Sequence, residues 1–344
     1  MIPFTTISRR SFVIMPFALA ACKFSDHVIE ITGLSMGTTY NVAAVDKSGK
    51  INRNDLQNAV STALNDVIAT MSNWDDASEI SRLNAALAGQ FVAPSAALAE
   101  VLTAAQEVNA ATDGRFDTTV GPLVELWGFG AGATGSRAKP NEEEIAAAQA
   151  RSGFENTIAL RDGGVEKRRD DGQIYLAGIG KGYGADHVGR AIEALGVTDY
   201  LVEIGGDIYA AGRNPDGQPW QIGIELPNPS DSGLAGVVGL SGLGMASSGD
   251  YRNYFEAEGQ RYSHLIDPVT GYPVNHNTAS ATVLAANAML ADAWSTAMLI
   301  LGREQGLEVA AKHAIAVQFI ERNANEGAQQ FSTFTSDAFD TLTA

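Results

Sequence analysis

The sequence has 344 residues, of which 45% are hydrophobic and 18% are charged, a composition typical of globular proteins and not of disordered ones. Its 40 acidic and 23 basic residues give a formal net charge of -17. This balance argues against a general nucleic-acid-binding protein, because phosphate backbones require basic patches. A site for any phosphate-bearing ligand would need positive charge supplied locally, by a metal ion or a few basic residues.

The first 21 residues have the features of an export signal. A twin-arginine pattern, Ser8-Arg9-Arg10-Ser11-Phe12, is followed by an apolar run that ends at Ala21. This run is too short to cross a bilayer as a helix, which takes roughly 20 residues. We therefore expect residues 1–21 to be a twin-arginine signal peptide that does not belong to the fold.

Cys22 is the only cysteine of the chain, and it ends a segment, Leu19–Cys22, that resembles a bacterial lipobox. Small residues directly before the cysteine favour lipidation over a buried structural role. A lipidated Cys22 leaves no thiol for disulfides or zinc–thiolate sites. We expect residues 22–27 to be a lipidated tether, and the mature protein to be a periplasmic-side lipoprotein held by lipid instead of surface charge.

The mature sequence alternates helical and extended patterns without an internal repeat. Apolar spacing and helix-end signals predict helices, in chain order, at Asp55–Met71, at Ser95–Ala111, after Pro140, at Gly184–Leu195, and at Asn287–Leu301 with a stop at Gly302. Strand patterns occur at Leu201–Ile204 and, with clean alternation, at Trp220–Leu226. These elements predict a mixed α+β protein, and no linker is rich enough in Pro, Gly or charge to mark a domain boundary.

The last predicted helix carries three oxygen-bearing side chains on one face. Asp292, Ser295 and Thr296 stand at positions i, i+3 and i+4, among neighbours that are otherwise apolar. An unpaired buried carboxylate is costly, and a hard divalent cation would satisfy it. Magnesium fits better than calcium if phosphates fill the remaining positions. The alternative is an aspartate on the solvent face of the helix, beside hydroxyls that serve only as caps.

A glycine-rich segment, Leu176–Gly184, precedes another predicted helix. Its spacing fits neither a Walker loop nor a dinucleotide-binding fingerprint. Glycines would allow a ligand to approach the backbone closely, and Lys181 would offer a point charge to phosphate. A plain strand-to-helix turn explains the same residues equally well.

Three further segments combine turn residues with polar side chains. Ser247–Tyr251 and Ser263–Pro273 lie between extended stretches, and Thr112–Pro122 places an arginine, a phenylalanine and an aspartate on one loop. His264 could accept a proton, although a single histidine is more often a structural hydrogen-bonding residue. The loop would suit an aromatic, charged ligand.

Taken in order, these segments resemble the motifs of the ApbE family, the FAD:protein FMN transferases. The matching segments are Gly33–Thr38, Met71–Trp74, Ser78–Asn84, Asp113–Pro122, Gly178–Tyr183, Gly205–Ile208, Ser247–Tyr251, His264–Pro273 and Ala291–Thr296. The resemblance implies an α+β fold of mixed sheets with packed helices. It implies one compact catalytic unit over residues 28–320, with residues 321–344 as its C-terminal extension.

The resemblance also implies roles for individual residues. Those expected to contact the substrate FAD are Met36, Trp74, Arg115, Phe116, Asp117, Lys181 and Ile266. Those expected to hold Mg²⁺ are the carbonyl of Gly178 and the side chains of Asp292, Ser295 and Thr296. Two positions depart from the family pattern, since Tyr175 lies where many members have aspartate and Glu203 lies where asparagine is common.

The implied reaction is a magnesium-dependent transfer of the FMN moiety of FAD to a Thr or Ser hydroxyl, with release of AMP. His264 is the expected proton acceptor, and Asp292 is the second catalytic residue through its bond to the metal. Expected acceptors are flavoprotein subunits of membrane redox complexes. Two alternatives are an FAD pyrophosphatase that gives FMN and AMP, and a non-catalytic FAD-binding lipoprotein.

Overall fold

The structure is a computed structural model, and it describes residues 27–130, 138–228, 233–251, 253–257, 259–323 and 330–344. The predicted signal peptide, the lipidation site at Cys22 and almost all of the predicted tether lie outside these residues. Among the helices of the described ranges, none is long and apolar enough to cross a membrane.

Four of the five predicted helices begin within two residues of the position that the sequence signals give. They are α1 (Arg53–Met71), α2 (Glu79–Asn84), α3 (Ala96–Ala111), α4 (Gly121–Leu126), α5 (Glu142–Gln149), α6 (Phe154–Thr157), α7 (Gly180–Ala194), α8 (Ala288–His313) and α9 (Asp337–Thr343). Side chains of Asn52, Ser95 and Asn141 accept hydrogen bonds from backbone N–H groups in the first turns of α1, α3 and α5. These bonds satisfy donors that a helix start leaves unpaired.

Antiparallel strands form the other half of the fold. They are β1 (His27–Ser35), β2 (Thr38–Asp46), β3 (Phe91–Val92), β4 (Ile158–Arg161), β5 (Gly164–Lys167), β6 (Tyr200–Ile204), β7 (Asp207–Ala211), β8 (Trp220–Glu225), β9 (Leu234–Leu240), β10 (Leu243–Gly249), β11 (Tyr254–Ala257), β12 (Gln260–Ser263), β13 (Thr278–Ala285), β14 (Ala316–Arg322) and β15 (Phe331–Thr335). The main sheet has the order β1-β2-β6-β7-β10-β13-β14-β15. A smaller sheet has the order β3-β5-β4, and β8–β9 and β11–β12 are hairpins.

Both faces of the main sheet are covered. On one face α1 and α7 pack against the first four strands, where Val202 meets Val188 in a buried cluster, and α8 packs over β10, β13 and β14. On the other face the β8–β9 hairpin buries Trp220 beside Ile208. The apolar surface of each layer is thus removed from water. The predicted α+β class and the single compact unit are confirmed, and the strands predicted at 201–204 and 220–226 correspond to β6 and β8.

Two tight turns lie side by side at one end of the main sheet. Met36 and Gly37 join β1 to β2 with φ angles of 50° and 74°, and Gly205 and Gly206 join β6 to β7 with φ angles of 59° and 101°. Two successive positive φ angles are what a two-residue hairpin turn requires. The amide of Gly205 donates to the carbonyl of Thr39 at 3.0 Å, which holds the turns together.

Two predicted helices have other bounds than expected. α7 begins at Gly180 and not at Gly184, so half of the glycine-rich segment is the first turn of a helix. Glycine has low helix propensity, but tertiary packing overrides it here, since a Cβ at Gly182 would lie 2.2 Å from the carbonyl oxygen of Ala288 on α8. The predicted stop at Gly302 is a break with φ of 72° and ψ of 173°, after which helical structure continues to His313.

Candidate active site

The three oxygen-bearing side chains of α8 lie on one face of the helix, as their spacing predicted. Asp292 and Ser295 are 3% and 1% exposed, and Thr296 is half-buried. Gly178 lies directly beside them, since a Cβ on it would be 3.2 Å from Oγ1 of Thr296. Oγ of Ser248, at the end of β10, lies 2.9 Å from Oγ of Ser295 and 3.3 Å from Oγ1 of Thr296. Gly178 and the three side chains of α8 therefore lie in one part of the structure, and their role as metal ligands stays a prediction.

An ammonium group lies at the edge of this cluster. Nζ of Lys181, in the first turn of α7, forms an ion pair with Asp207 and lies 3.5 Å from Oδ2 of Asp292. The amide of Gly182 donates to the same Oδ2 atom at 3.1 Å. Burial alone would lower the pKa of Lys181, but the charges of the two aspartates outweigh it and raise the pKa. Lys181 is therefore a permanent positive charge in an acidic protein.

Asp207 owes its place to the Gly205–Gly206 turn, which it follows directly as the first residue of β7. It is 3% exposed, and burial raises its pKa well above the usual range for an aspartate. The charge of Asp292 raises it further, and Lys181 opposes both effects. Two buried carboxylates thus share one ammonium, so a bound cation would offset the remaining negative charge.

The donors at this site suit magnesium. A carboxylate, hydroxyl groups and a backbone carbonyl are the hard oxygen ligands that a small divalent cation prefers. Within the described ranges, no group of three or more His, Cys, Asp or Glu side chains comes together in a way that could hold a metal. A magnesium ion here would therefore depend on Asp292, the hydroxyls, the Gly178 carbonyl and oxygens from the substrate.

Met36 and Phe116 flank the glycine-rich segment from two directions. Met36 reaches from the β1–β2 turn, and its Sδ atom lies 3.0 Å from where a Cβ on Gly184 would be. The ring of Phe116 is 3.3 Å from the corresponding point on Gly178. Asn109 fixes the Phe116 carbonyl through a 2.7 Å hydrogen bond. Both residues are thus beside the segment where close approach of a ligand is expected.

Arg115 connects two loops through an ion pair, and Ile266 is the chain neighbour of its partner. Arg115 forms an ion pair with Asp267, which is 6% exposed, so the Thr112–Pro122 loop is joined to the Ser263–Pro273 segment. Ile266 is 3% exposed, and its backbone forms an isolated bridge with Pro273. Their expected contacts with FAD remain predictions.

Asp117 organises its own loop. Its Oδ1 atom accepts hydrogen bonds from the amide and the hydroxyl of Thr119 at 2.7 and 2.6 Å, and Oδ2 accepts from the amide of Phe154 at 3.1 Å. Burial raises the pKa of Asp117 although these bonds favour its charged form. In the structure Asp117 therefore stabilises its loop. Its expected contact with FAD remains a prediction.

His264 is half-buried at the end of the β12 strand. Its Nδ1 atom lies 3.0 Å from the carbonyl oxygen of Asn253, which also accepts the His264 backbone amide at 3.0 Å. Because a carbonyl only accepts, this contact assigns the proton to Nδ1, and Nε2 becomes the acceptor in the neutral ring. The edge of the Phe129 ring lies beside the imidazole at 6.3 Å between centroids. The role of His264 as proton acceptor stays a prediction.

The two departures from the family pattern both have structural partners. Tyr175 donates its hydroxyl to Oε1 of Glu125 at 2.6 Å and lies edge-on to Trp74. Glu203 accepts from Nδ2 of Asn41 and from the amide of Gly206, both at 2.6 Å, so it caps the turn that precedes Asp207. Burial raises the pKa of Glu203.

Sequence reasoning assigned no role to three residues that build the site. Ser248 and Asp207 lie in motifs of the chain, but only the sheet order brings them to α7 and α8. Asp186 caps α8, since its carboxylate accepts from the amides of Ala288 at 2.8 Å and Met289 at 2.9 Å. An acidic residue within the apolar stripe of α7 was the available signal for it.

This arrangement can be compared with known proteins. The model of the ApbE family matches residues 36–319. The chain belongs to the ApbE family. The FAD:protein FMN transferase of Haemophilus influenzae is 42% identical over 338 residues, which is 96% of each chain. That of Escherichia coli K12 is 35% identical over 322 residues, 91% of this chain and 89% of the relative.

Solved ApbE structures share the fold. The apo form of the Pseudomonas stutzeri flavinyl transferase ApbE has a TM-score of 0.84 at 38% identity, over 94% of this chain and 99% of that one. The flavin transferase ApbE of Vibrio cholerae has a TM-score of 0.83 at 34% identity, over 92% and 99% of the two chains. The family resemblance inferred from the ordered motifs is confirmed.

Proposed function

We propose that this chain transfers the FMN moiety of FAD to a Thr or Ser hydroxyl of acceptor proteins, with magnesium, and releases AMP. The transferase class rests on relatives of that name that match nearly the whole chain. The observation that carries the finer proposal is the buried oxygen cluster of Asp292, Ser295 and Thr296 beside Lys181. It combines metal-type ligands with a local positive charge, which a pyrophosphate site in an acidic protein requires.

The residues that would hold magnesium are the Gly178 carbonyl, Asp292, Ser295 and Thr296. When bound, magnesium would neutralise charge on the pyrophosphate and act as a Lewis acid toward it. Ser248 contacts both hydroxyl ligands and would orient them. The α8 helix carries three of the ligands, and Asp186 and the N-cap Asn287 fix its N-terminus.

The reaction requires neutralised phosphate charge and an aligned nucleophile. The oxygen of the acceptor hydroxyl attacks the phosphorus on the riboflavin side, and a new phosphoester bond forms. The bond from this phosphorus to the bridging oxygen breaks, and AMP leaves with that oxygen. The hydroxyl proton passes to Nε2 of His264, and Lys181 stabilises negative charge on the phosphates.

For FAD, we propose contacts from Met36, Trp74, Arg115, Phe116, Asp117, Lys181 and Ile266. Trp74 supports stacking most directly, because it is 68% exposed and could offer an indole face to the isoalloxazine ring. Met36 and Phe116 approach the same glycine-rich segment that lies beside the metal ligands. The flavin and pyrophosphate ends of FAD would then lie on neighbouring parts of one site.

The proposed cellular setting follows from the N-terminal sequence. Residues 1–21 would direct export by the twin-arginine route, and lipid on Cys22 would anchor the enzyme on the periplasmic side of a membrane. The acceptors would be flavoprotein subunits of membrane redox complexes. Tethering would raise the effective concentration of enzyme near them.

The test mixes the purified protein with FAD, magnesium and a candidate acceptor, and follows fluorescent bands on a denaturing gel. Transfer predicts a fluorescent acceptor band that fails to form in chelator and returns with added magnesium. Free FMN and AMP with an unlabelled acceptor would favour the pyrophosphatase instead. FAD that stays intact but bound would favour a carrier.

A further inference from the structure

Trp74 presents most of its ring to solvent, and one neighbour lies against it edge-on. The indole is 68% exposed, and the centroid of the Tyr175 ring lies 6.4 Å away with the ring planes at 74°. This T-shaped arrangement is a favoured geometry for aromatic pairs. The exposed indole is therefore in contact with a second ring.

Tyr175 is fixed on several sides. Its hydroxyl donates to Oε1 of Glu125 at 2.6 Å, and its amide donates to the carbonyl of Thr118 at 2.6 Å. The ring packs against Gly121, where a Cβ would lie 2.8 Å from Cδ2 of the tyrosine. The Glu125 carboxylate packs against Gly130 in the same manner, with 2.1 Å from its Cδ atom to a Cβ on that glycine. A side chain at either glycine would require the Tyr175 ring or the Glu125 carboxylate to move.

The backbone on either side of the tyrosine is held by two asparagines. Asn73, directly before the tryptophan, donates to the carbonyl of Ile174 at 2.7 Å and accepts from the amide of Leu176 at 3.2 Å. Asn84 donates to the same carbonyl at 3.0 Å and accepts from the amide of Ile174 at 2.8 Å. The chain segments that carry the two rings are thus bonded to each other, and this fixes the spacing between the rings.

We propose that Tyr175 is a positioning residue of the flavin site. Anchored by Glu125, it holds the Trp74 indole in one orientation, with a face open to the isoalloxazine ring of FAD. This inference rests on the proposed stacking of FAD on Trp74. A mobile exposed side chain loses rotamer freedom when a ligand orders it, and affinity falls accordingly. An indole that is already held by its neighbour loses less.

The test uses Tyr175→Leu, which removes the ring, and Tyr175→Phe and Glu125→Ala, which remove the anchoring hydrogen bond and keep the ring. Trp74→Ala reports on stacking itself, and Phe91→Leu is a matched control at another exposed ring, 56% exposed on β3. FAD affinity is measured by flavin fluorescence without acceptor, and KM and kcat are measured with acceptor. Thermal unfolding of each variant shows whether it folds.

We expect Tyr175→Leu to raise the Kd and the KM for FAD about threefold to tenfold while kcat stays within about twofold. Tyr175→Phe and Glu125→Ala should each give a smaller shift in the same direction, and Phe91→Leu should give none. In a Trp74→Ala background, Tyr175→Leu should have no further effect, because there is no indole left to orient.

The outcomes separate the inference from the proposed function. If Trp74→Ala binds FAD as tightly as the wild type, the stacking role fails and the inference fails with it. If Trp74→Ala weakens binding and a folded Tyr175→Leu does not, the inference alone is overturned. If the two losses add, Tyr175 contacts the flavin itself and is not a positioning residue. Should Tyr175→Leu fail to fold, unchanged affinity in Tyr175→Phe and Glu125→Ala overturns the inference.

Discussion

Nζ of Lys181 lies 3.5 Å from Oδ2 of Asp292, which joins the first turn of α7 to the proposed metal-binding face of α8. The glycine-rich segment makes this contact possible, because a side chain at Gly182 would collide with the α8 backbone. The ammonium group proposed to face phosphate and the carboxylate proposed to bind magnesium are therefore parts of one structural unit. Changes to either side should alter catalysis more than stability.

Asp292→Ala should abolish transfer while the fold survives. The substitution removes the one carboxylate among the expected magnesium ligands, and Lys181 keeps its ion pair with Asp207. We expect transfer to fall by at least about a hundredfold, since the loss of a metal ligand removes the charge neutralisation of the phosphates. Initial rates of acceptor labelling and thermal unfolding measure the two effects. Asp162→Ala, in the exposed turn between β4 and β5, is the control and should behave as the wild type.

Ser248→Ala should weaken magnesium binding more than it lowers the maximal rate. Its Oγ atom contacts the hydroxyls of Ser295 and Thr296, and loss of an orienting partner typically lowers metal affinity about tenfold to a hundredfold. The measurement is the magnesium concentration that gives half-maximal labelling. Ser247→Ala is a matched control, because Oγ of Ser247 bonds to Thr282 at 2.8 Å instead. Equal magnesium requirements for both variants would show that Ser248 does not orient the metal ligands.

His264→Ala should slow the chemical step without weakening FAD binding. Removing a general base typically lowers the rate about a hundredfold to ten-thousandfold. We expect kcat to fall within this range while the Kd for FAD stays near the wild-type value. His187→Ala, whose ring stacks on Tyr183, is the control. A normal kcat in the His264 variant would show that another group accepts the proton.

Asp186 should make stability depend on pH. Burial raises its pKa from 3.8 to about 6, although two backbone amides of α8 stabilise its charged form. A raised pKa in the folded state means that its contribution to the free energy of unfolding is full below pH 3.8 and lost as pH rises through about 6. The span corresponds to at most about 3 kcal/mol.

Urea unfolding of the wild type and of Asp186→Asn between pH 4 and 7 measures this effect. We expect the stability of the wild type, relative to the variant, to decline across this range. Asp162→Asn, in the exposed turn between β4 and β5, is the control for removal of a surface carboxyl group. A difference between the wild type and Asp186→Asn that does not change with pH would mean that Asp186 titrates in its usual range.

The N-terminal segment should affect location and not chemistry. Cys22→Ser should leave a precursor without lipid, because the acylated thiol is lost. A protein truncated to begin at Ser25 should keep its turnover on a soluble acceptor, and it should label membrane acceptors less well in cells. Loss of activity on the soluble acceptor would place the N-terminal segment inside the catalytic fold.

The local part of the site could be predicted from the sequence, and the long-range part could not. Helical spacing alone puts Asp292, Ser295 and Thr296 on one face, because positions three and four apart are neighbours on a helix. Asp207 and Ser248 reach the same place only because β7 and β10 are adjacent in the sheet, an order that no local pattern specifies. The sequence shows the motifs that contain Asp207 and Ser248, but it does not show which residues they contact.

Long-range contacts also determine where α7 begins and what surrounds the two residues that differ from the family pattern. Four glycines between residues 178 and 184 indicate a turn by propensity, yet close packing of α7 on α8 makes three of them helical. Glu203 and Tyr175 were recognised as unusual, but their hydrogen bonds to Asn41 and Glu125 depend on contacts between distant segments of the chain. The helix starts predicted at Ser95 and after Pro140 are confirmed, because the capping of these helices by Ser95 and Asn141 is a local interaction.

The central claim is tested most directly by mass spectrometry of an acceptor incubated with the enzyme, FAD and magnesium, with AMP counted in the same sample. Transfer predicts one FMN phosphoester on a Thr or Ser side chain for each AMP released, and neither product with Asp292→Ala. AMP released together with free FMN, while the acceptor keeps its original mass, would contradict the account.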